Sequence, residues 1–287
     1  MTIIIDNGSG NIKIALSNIN FDNANKPLQI PNIIGRPIHW NNKALEDFEL
    51  RPIMRGDEVN PVRSLLQLSY PTIQGDIVNF EDMSILWDYC IKNKLGIYDV
   101  RDRKILLTEP PLNSNDNRKK MFEIIFEKLG FGYCNFESQA KLCLFAHGNE
   151  TGMVLDSGED STYSIPVQGG VILRKQIKRL DVAGRHINYY LIKLLQSKGY
   201  SFIPDAHLEL VREIKEKYCF VSCYIDSDRK LEEETTYYNS FVNLPDRTKI
   251  RISSEKFEAP EILFRTWLIK NEKPGIHEMI CNSINVR

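Results

Sequence analysis

No apolar run in this chain approaches the length needed to cross a bilayer, and the opening stretch from Thr2 to Asp6 is too short for a secretion-signal core. The simplest expectation is a cytosolic protein. A charge surplus is missing as well: 37 Lys and Arg stand against 38 Asp and Glu, a formal net charge of −1. That balance argues against bulk affinity for nucleic acid. Cysteine is sparse, with six copies at 90, 134, 143, 219, 223 and 281. The one close pair, Cys219 and Cys223, has no second pair and no histidine beside it, so zinc is disfavoured and reduced thiols are expected. Low-complexity linkers are absent too, so any domains are woven together. What remains is ordinary for a globular chain: 287 residues, 42% hydrophobic and 26% charged, enough for one large domain or two.

The N-terminus runs Thr2-Ile3-Ile4-Ile5, breaks at Asp6-Asn7-Gly8-Ser9-Gly10, and resumes as Asn11-Ile12-Lys13-Ile14-Ala15-Leu16. This reads as a hairpin in which glycine supplies positive φ. The same grammar returns downstream. Met153-Val154-Leu155 runs into Asp156-Ser157-Gly158-Glu159-Asp160-Ser161 and then Thr162 to Val167. Two such units point to two related halves.

Between and after them the signals alternate. Helical spacing covers Phe80 to Leu95; Asn117 is the expected cap of a helix from Arg118 to Leu129; further helices are expected over Phe136 to Gly148, Ala183 to Lys198 and Ala206 to Phe220. Short strands are expected at Gly35 to Ile38, Ile53-Met54, Lys104 to Thr108 and Val171 to Leu173. The segment Glu232 to Ile252, including Thr235 to Tyr238, has β character. Asn41 to Phe48 has no clear period and reads as an exposed loop of a small subdomain. The alternation indicates an α/β protein.

The chemistry sits in the two turns. Successive backbone N–H groups with no Cβ in the way form an anion-binding concavity. Asp6 would be comfortable there beside Mg²⁺, which is held by one or two carboxylates together with phosphates. Lys13 supplies positive charge on the returning strand, and Asp156 with Ser157-Gly158 closes from the other hairpin. For one hairpin an ordinary turn would be the better reading; two in similar contexts favour phosphate. The Walker pattern is absent, and Gly8-Ser9-Gly10-Asn11 lacks the third glycine and following helix of a dinucleotide site. A nucleotide site here must be of the two-hairpin kind.

At this point the residues resemble a family. Asp6 to Lys13, Gly35-Arg36-Pro37, Gly56-Asp57-Glu58, Leu107 to Asn113, Asp156-Ser157-Gly158, Leu180 to Arg185, Ile214 to Lys217 and Lys256 to Glu261 are similar, in order and spacing, to actin and the actin-related proteins. The resemblance implies the actin-like ATPase fold, an α/β architecture of two ribonuclease-H-like halves around a nucleotide cleft. It implies subdomain 1 at 1–30 and 71–146, subdomain 2 inserted at 31–70, an incomplete subdomain 3 at 147–182 and 272–287, and subdomain 4 at 183–271.

It also implies ATP with Mg²⁺ or Ca²⁺. Gly8, Ser9, Gly10 and Lys13 would hold phosphates from one hairpin, and Asp156, Ser157, Gly158 and Glu159 from the other. Asp6 and Asp156 would support the metal through water. Gln139 matches the glutamine that orders the attacking water; its plainer reading is a polar residue at a helix start. Gly184, Arg212, Lys215 and Glu216 match positions around ribose and base, where a solvated helix face is the alternative. The stretches Leu86 to Tyr89, Tyr190 to Leu195, Glu233 to Thr236 and Leu244 to Asp246 resemble a branch of the family that implies a cytoplasmic, cytoskeletal subunit mimicking an actin monomer. Its implied partners are actin-related protein 3, the other subunits of the assembly that nucleates branched filaments, and actin monomers and filaments, with no DNA and no membrane insertion.

Three departures matter. Asp160 stands where the family pattern has a glycine, placing a carboxylate beside the expected polyphosphate. Tyr163 stands where the family has a histidine associated with hydrolysis, and His186 replaces an acidic residue after Gly184-Arg185. Nucleotide binding with slow or absent hydrolysis is therefore expected. A conventional-actin-like protein, a degenerate relative that binds no nucleotide, and a sugar-kinase-type enzyme of the wider ATPase group remain the alternatives. No motif designates the substrate-side aspartate that a kinase needs. The resemblance stops shortly after Gly275 to Glu278, before the family's Ser-Gly-Gly segment and C-terminal helices, so a truncated pocket or a fragment is expected.

Overall fold

The computed structural model describes residues 1–17, 26–38 and 50–284, without side-chain detail at 204–206. The chain divides into two compact units: Met1–Glu159 with Tyr163–Ile177, and Asp160–Thr162 with Lys178–Arg287. Among the described residues no helix is long and apolar enough to cross a membrane.

The first unit opens with strands β1 (Thr2–Asn7), β2 (Asn11–Leu16) and β3 (Leu28–Pro31), paired antiparallel so that Asp6 lies opposite Lys13 and Ile12 opposite Ile30. The period of two places Ile3, Ile5, Ile12 and Ile14 in the core, each at most 1% exposed. A small sheet follows, with β4 (Ile34–Pro37) between β5 (Met54–Arg55) and β6 (Leu66–Ser69). It covers its own cluster of Ile33, Met54, Val59, Val62 and Leu66. Expected strands at both its sequence positions are therefore present, whereas Asn41 to Phe48 lies outside the described residues.

After the β7 (Thr72–Ile73) and β8 (Asp76–Ile77) hairpin comes helix α1 (Phe80–Tyr89), capped by Asn79, whose side chain accepts the Asp82 N–H. Its last turn widens over Cys90–Lys94, where the Leu95 N–H reaches the Cys90 carbonyl. Strand β9 (Lys104–Glu109) runs parallel to β1, and α2 (Asn115–Glu123) leads through a second wide turn to β10 (Tyr133–Ser138), parallel to β9. The sheet order is β10-β9-β1-β2-β3. Met83, Leu86 and Trp87 of α1 are fully buried in one cluster with the apolar face of this sheet. Each such side chain contributes roughly 1.5–3 kcal/mol of transfer free energy. Helix α3 (Gln139–Ala146) and strands β11 (Gly152–Ser157), β12 (Thr162–Gln168) and β13 (Val171–Ile172) complete the unit, with Ala140, Tyr163, Ile165, Val167 and Ile177 as their core.

The second unit contains β14 (Lys178–Leu180), α4 (Gly184–Ser197), α5 (Pro204–Tyr218), α6 (Ile225–Glu234), β15 (Ser240–Asn243), β16 (Lys249–Ile252), α7 (Glu255–Glu258) and α8 (Ile276–Ile284). Leu191 and Leu195 of α4 meet Val211 and Ile214 of α5 in a cluster that also takes in Ile250 and Ile252.

Three local expectations are corrected. The α2 cap is Ser114, whose hydroxyl accepts the Asn117 N–H at 3.1 Å, because the helix begins three residues before Arg118. Phe136 belongs to β10 and not to a helix; pairing with Leu107 overrides its local pattern. Residues Glu232 to Glu234 end α6 and Thr235 to Tyr238 form no strand, so β structure in that segment begins only at Ser240. Tyr238 instead spends its hydroxyl on Asp228 and its ring on Phe257.

Candidate nucleotide-phosphate site

Asp6, the penultimate residue of β1, is the hub of the first unit's polar cluster. Its Oδ1 accepts from the Thr108 hydroxyl at 2.8 Å and from the Gln139 amide at 2.6 Å, and its Oδ2 lies 3.1 Å from the Lys13 ammonium. The architecture dictates this. Register places Lys13 opposite Asp6, the parallel β1–β9 pairing brings Thr108 alongside, and Gln139 is the first residue of α3. Thr108 works twice, since its oxygen also accepts the Asn7 N–H at 2.8 Å. Asn7 in turn accepts from the indole of buried Trp87 at 2.9 Å.

The first turn is Gly8-Ser9-Gly10. Neither glycine adopts positive φ, contrary to the expectation from the turn chemistry. Close approach explains them instead: a Cβ at Gly8 would stand 2.5 Å from the Asn11 carbonyl oxygen, and one at Gly10 would stand 3.2 Å from the Glu159 side chain. Asn32 fastens this turn, donating its side-chain amide to the Gly8 carbonyl at 2.9 Å and its backbone N–H to the Gly10 carbonyl at 3.0 Å.

Asp156, the penultimate residue of β11, joins Asp6 electrostatically. Burial pushes its carboxyl above the ordinary carboxylate range, the Asp6 charge adds to the rise, and Lys13 offsets part of it. Two mutually repelling carboxylates, one of them largely desolvated, suit a divalent cation. Among the described residues no group of three or more His, Cys, Asp or Glu could hold a metal alone. A cation here would thus need other oxygens, as Mg²⁺ takes from water and phosphates. Ser157, Gly158 and Glu159 follow in the same unit, and Glu159 packs beside Gly10. Ser138, the residue before Gln139, holds a buried hydroxyl with no hydrogen-bond partner among the described residues.

Asp6, Gly8, Ser9, Gly10, Lys13, Gln139, Asp156, Ser157, Gly158 and Glu159 all belong to the first unit. Gly184, Arg212, Lys215 and Glu216 belong to the second. There the Lys215 ammonium donates to the Gly184 carbonyl at 3.1 Å, joining α5 to the start of α4. Arg212 lies on α5 with Glu216 at 2.9 Å and Glu209 at 3.3 Å.

Thr108 and Asn32 escaped the reading of the sequence as site residues. Thr108 enters the sequence reading as the end of a strand and within the Leu107 to Asn113 motif, with no site role, and nothing near Asn32 in the chain points to Gly8; both act through pairings across the fold. Tyr163 is 5% exposed within the apolar cluster under β12.

A sequence model of the family described as Actin matches residues 1–287. Actin-related protein 2 of Schizosaccharomyces pombe is 46% identical over 282 residues, which is 98% of this chain and 71% of that protein. Actin-related protein 2 of Saccharomyces cerevisiae is 44% identical over 283 residues, 98% of this chain and 71% of its own length. The protein of the same name from Acanthamoeba castellanii is 42% identical over 284 residues, 99% of this chain and 72% of its own.

Proposed function

This chain belongs to the actin family, and from that premise we propose that it is an ATP-binding actin-related subunit of an assembly that nucleates branched actin filaments. The observation that carries the nucleotide reading is the Asp6 cluster: a carboxylate fixed by Thr108, Gln139 and Lys13 interacts with the raised Asp156, beside a tightly packed turn whose glycines admit no side chain.

In this reading the backbone N–H groups of Ser9, Gly10 and Gly158 receive the polyphosphate, with the Ser157 hydroxyl as a further donor and Gly8 shaping the turn, its own N–H donating to the Asp6 carbonyl at 3.1 Å. Lys13 carries the compensating positive charge. Asp6 and Asp156 hold Mg²⁺ or Ca²⁺ through water, and a bound cation offsets the negative charge of carboxylates and phosphates together. Gln139 orients water through the same amide that now serves Asp6. Tyr163 offers an apolar, phenolic environment where a histidine would take up a proton, so hydrolysis is slow or absent.

The partner reading rests on the 42–46% identity to three proteins named actin-related protein 2. It assigns this chain actin-related protein 3, the remaining subunits of the assembly, and actin as partners. Titration with fluorescent ATP and Mg²⁺ tests the site: no measurable binding overturns the nucleotide reading, and turnover at the rate of actin overturns the slow-hydrolysis part. Co-purification with actin-related protein 3 tests the assembly, and its failure in cells that contain that protein counts against it.

A further inference from the structure

Position 160 carries a carboxylate where the family pattern has glycine, directly after the residues proposed to meet phosphate. Taken alone, that charge argues against a polyanion. The carboxylate is not displayed, however. Asp160 is 3% exposed, and its Oδ1 lies 3.0 Å from Nε of Arg185 in the first turn of α4. Two residues on, the Thr162 hydroxyl donates to the Val182 carbonyl at 2.8 Å. The segment 160–162 is thereby fastened twice to the approach of α4, within one compact unit. An unpaired buried carboxylate is costly, whereas a buried pair is tolerated when both members are present.

We propose that the Asp160–Arg185 ion pair is a compensated replacement for the family's glycine. Arg185 cancels the charge that Asp160 would add next to a polyphosphate, and the pair fixes the course of the chain that glycine leaves free. This rests on the polyphosphate reading of the hairpins. Arg185 is a positioning residue in that scheme, acting on the ligand through Asp160. Its loss unmasks a negative charge, and the penalty grows with the number of phosphates on the ligand. Loss of the Asp160 charge carries no such penalty.

The test is equilibrium titration of wild type, D160N, R185M and D160N/R185M with ATP, ADP and AMP at fixed Mg²⁺. R185M is expected to weaken ATP on the order of tenfold, ADP less, and AMP by no more than about twofold. The double variant is expected to recover ATP binding, and D160N to bind ATP at least as tightly as wild type. Equal losses for all three ligands, or no recovery in the double variant, overturn the proposal. Should R185M fail to fold, D160N still decides: weaker ATP binding in D160N overturns it. A wild type that binds none of the three removes the polyphosphate reading itself, and this proposal with it. Binding by wild type with losses independent of phosphate number removes the pair's role alone.

Discussion

Gly10 of the first hairpin turn lies against Glu159 of the second, so closely that a β-carbon on Gly10 would meet the Glu159 Cβ and Cγ at 3.2 Å. The two turns are therefore in contact through a glycine and the stem of a flexible side chain. At Gly8 the obstacle is different, a backbone carbonyl at 2.5 Å. G10A should be accommodated by a small movement of Glu159, with little change in melting temperature. G8A must displace the Asn11 peptide and should cost about 1–3 kcal/mol. Thermal or urea melts of the two variants check this, and equal losses would contradict it.

Asp156 sets a pH dependence whose sign can be worked out. Its carboxyl is raised in the folded protein by burial and then by Asp6, so the folded state binds that proton more tightly than the unfolded chain does. The stabilising contribution is present in acid and lost as pH climbs through the raised value. At neutral pH the ionised group is a cost. D156N should therefore melt higher than wild type at neutral pH without a cation, and the gap should narrow toward about pH 4. Added Mg²⁺ with ATP should stabilise wild type and do less for D156N. A D156N protein that melts below wild type at neutral pH would refute this account.

The Gln139 amide is a donor that a carboxylate cannot imitate when ionised. Q139A removes one hydrogen bond to Asp6, at a cost of about 1 kcal/mol. Q139E adds a third negative charge beside Asp6 and Asp156 and should be worse than Q139A at neutral pH. The order should converge in acid, where the new carboxyl regains a proton. Melting curves at two pH values distinguish this from simple loss of packing, which has no pH dependence.

Asp82 provides a contrast from the same unit. It is fully buried and takes hydrogen bonds from Arg36, from Ser69 at 2.6 Å and from Asn79 at 3.0 Å. Burial pushes its carboxyl upward, but the donors from Arg36 and Ser69 and the guanidinium charge outweigh that and hold it below the ordinary range. A depressed carboxyl stabilises above its unfolded value and ceases to do so as pH falls through the folded one. R36A leaves Asp82 with Ser69 and Asn79 but removes a partly exposed guanidinium, so it should cost about 1–2 kcal/mol at neutral pH and flatten the acid limb of the stability profile. An unchanged acid limb would show that Arg36 does not govern Asp82.

What could be read in advance was local. The alternation around Asp6 to Lys13 predicts β1 and β2, and the leucines of α4 at helical spacing predict its buried stripe. Both depend on neighbours in the chain. Phe136 reads as helical in isolation because its strand is specified by pairing with Leu107, and Ser114 does not stand out as the cap because Asn117 is an equally good capping residue three positions later. Thr108, Asn32 and the partner of Asp160 were invisible for the same reason. Each touches a residue brought to it by sheet register or by a helix start, and no spacing rule in one sequence encodes that distance.

Strand β1 lies in the middle of its sheet, with β2 on one side and β9 on the other. Asp6 is separated along the chain by 102 residues from Thr108 and by 133 from Gln139. The β1–β2 hairpin is local in the chain, yet an isolated two-stranded hairpin is marginal in water, and parallel pairing over such a separation is slow. The Asp6 carboxylate consequently meets Lys13 through a local pairing, but Thr108 and Gln139 only once the long-range pairing is made. Until β9 docks, the central strand of the site keeps an unfilled edge, the kind of edge with which another chain can pair.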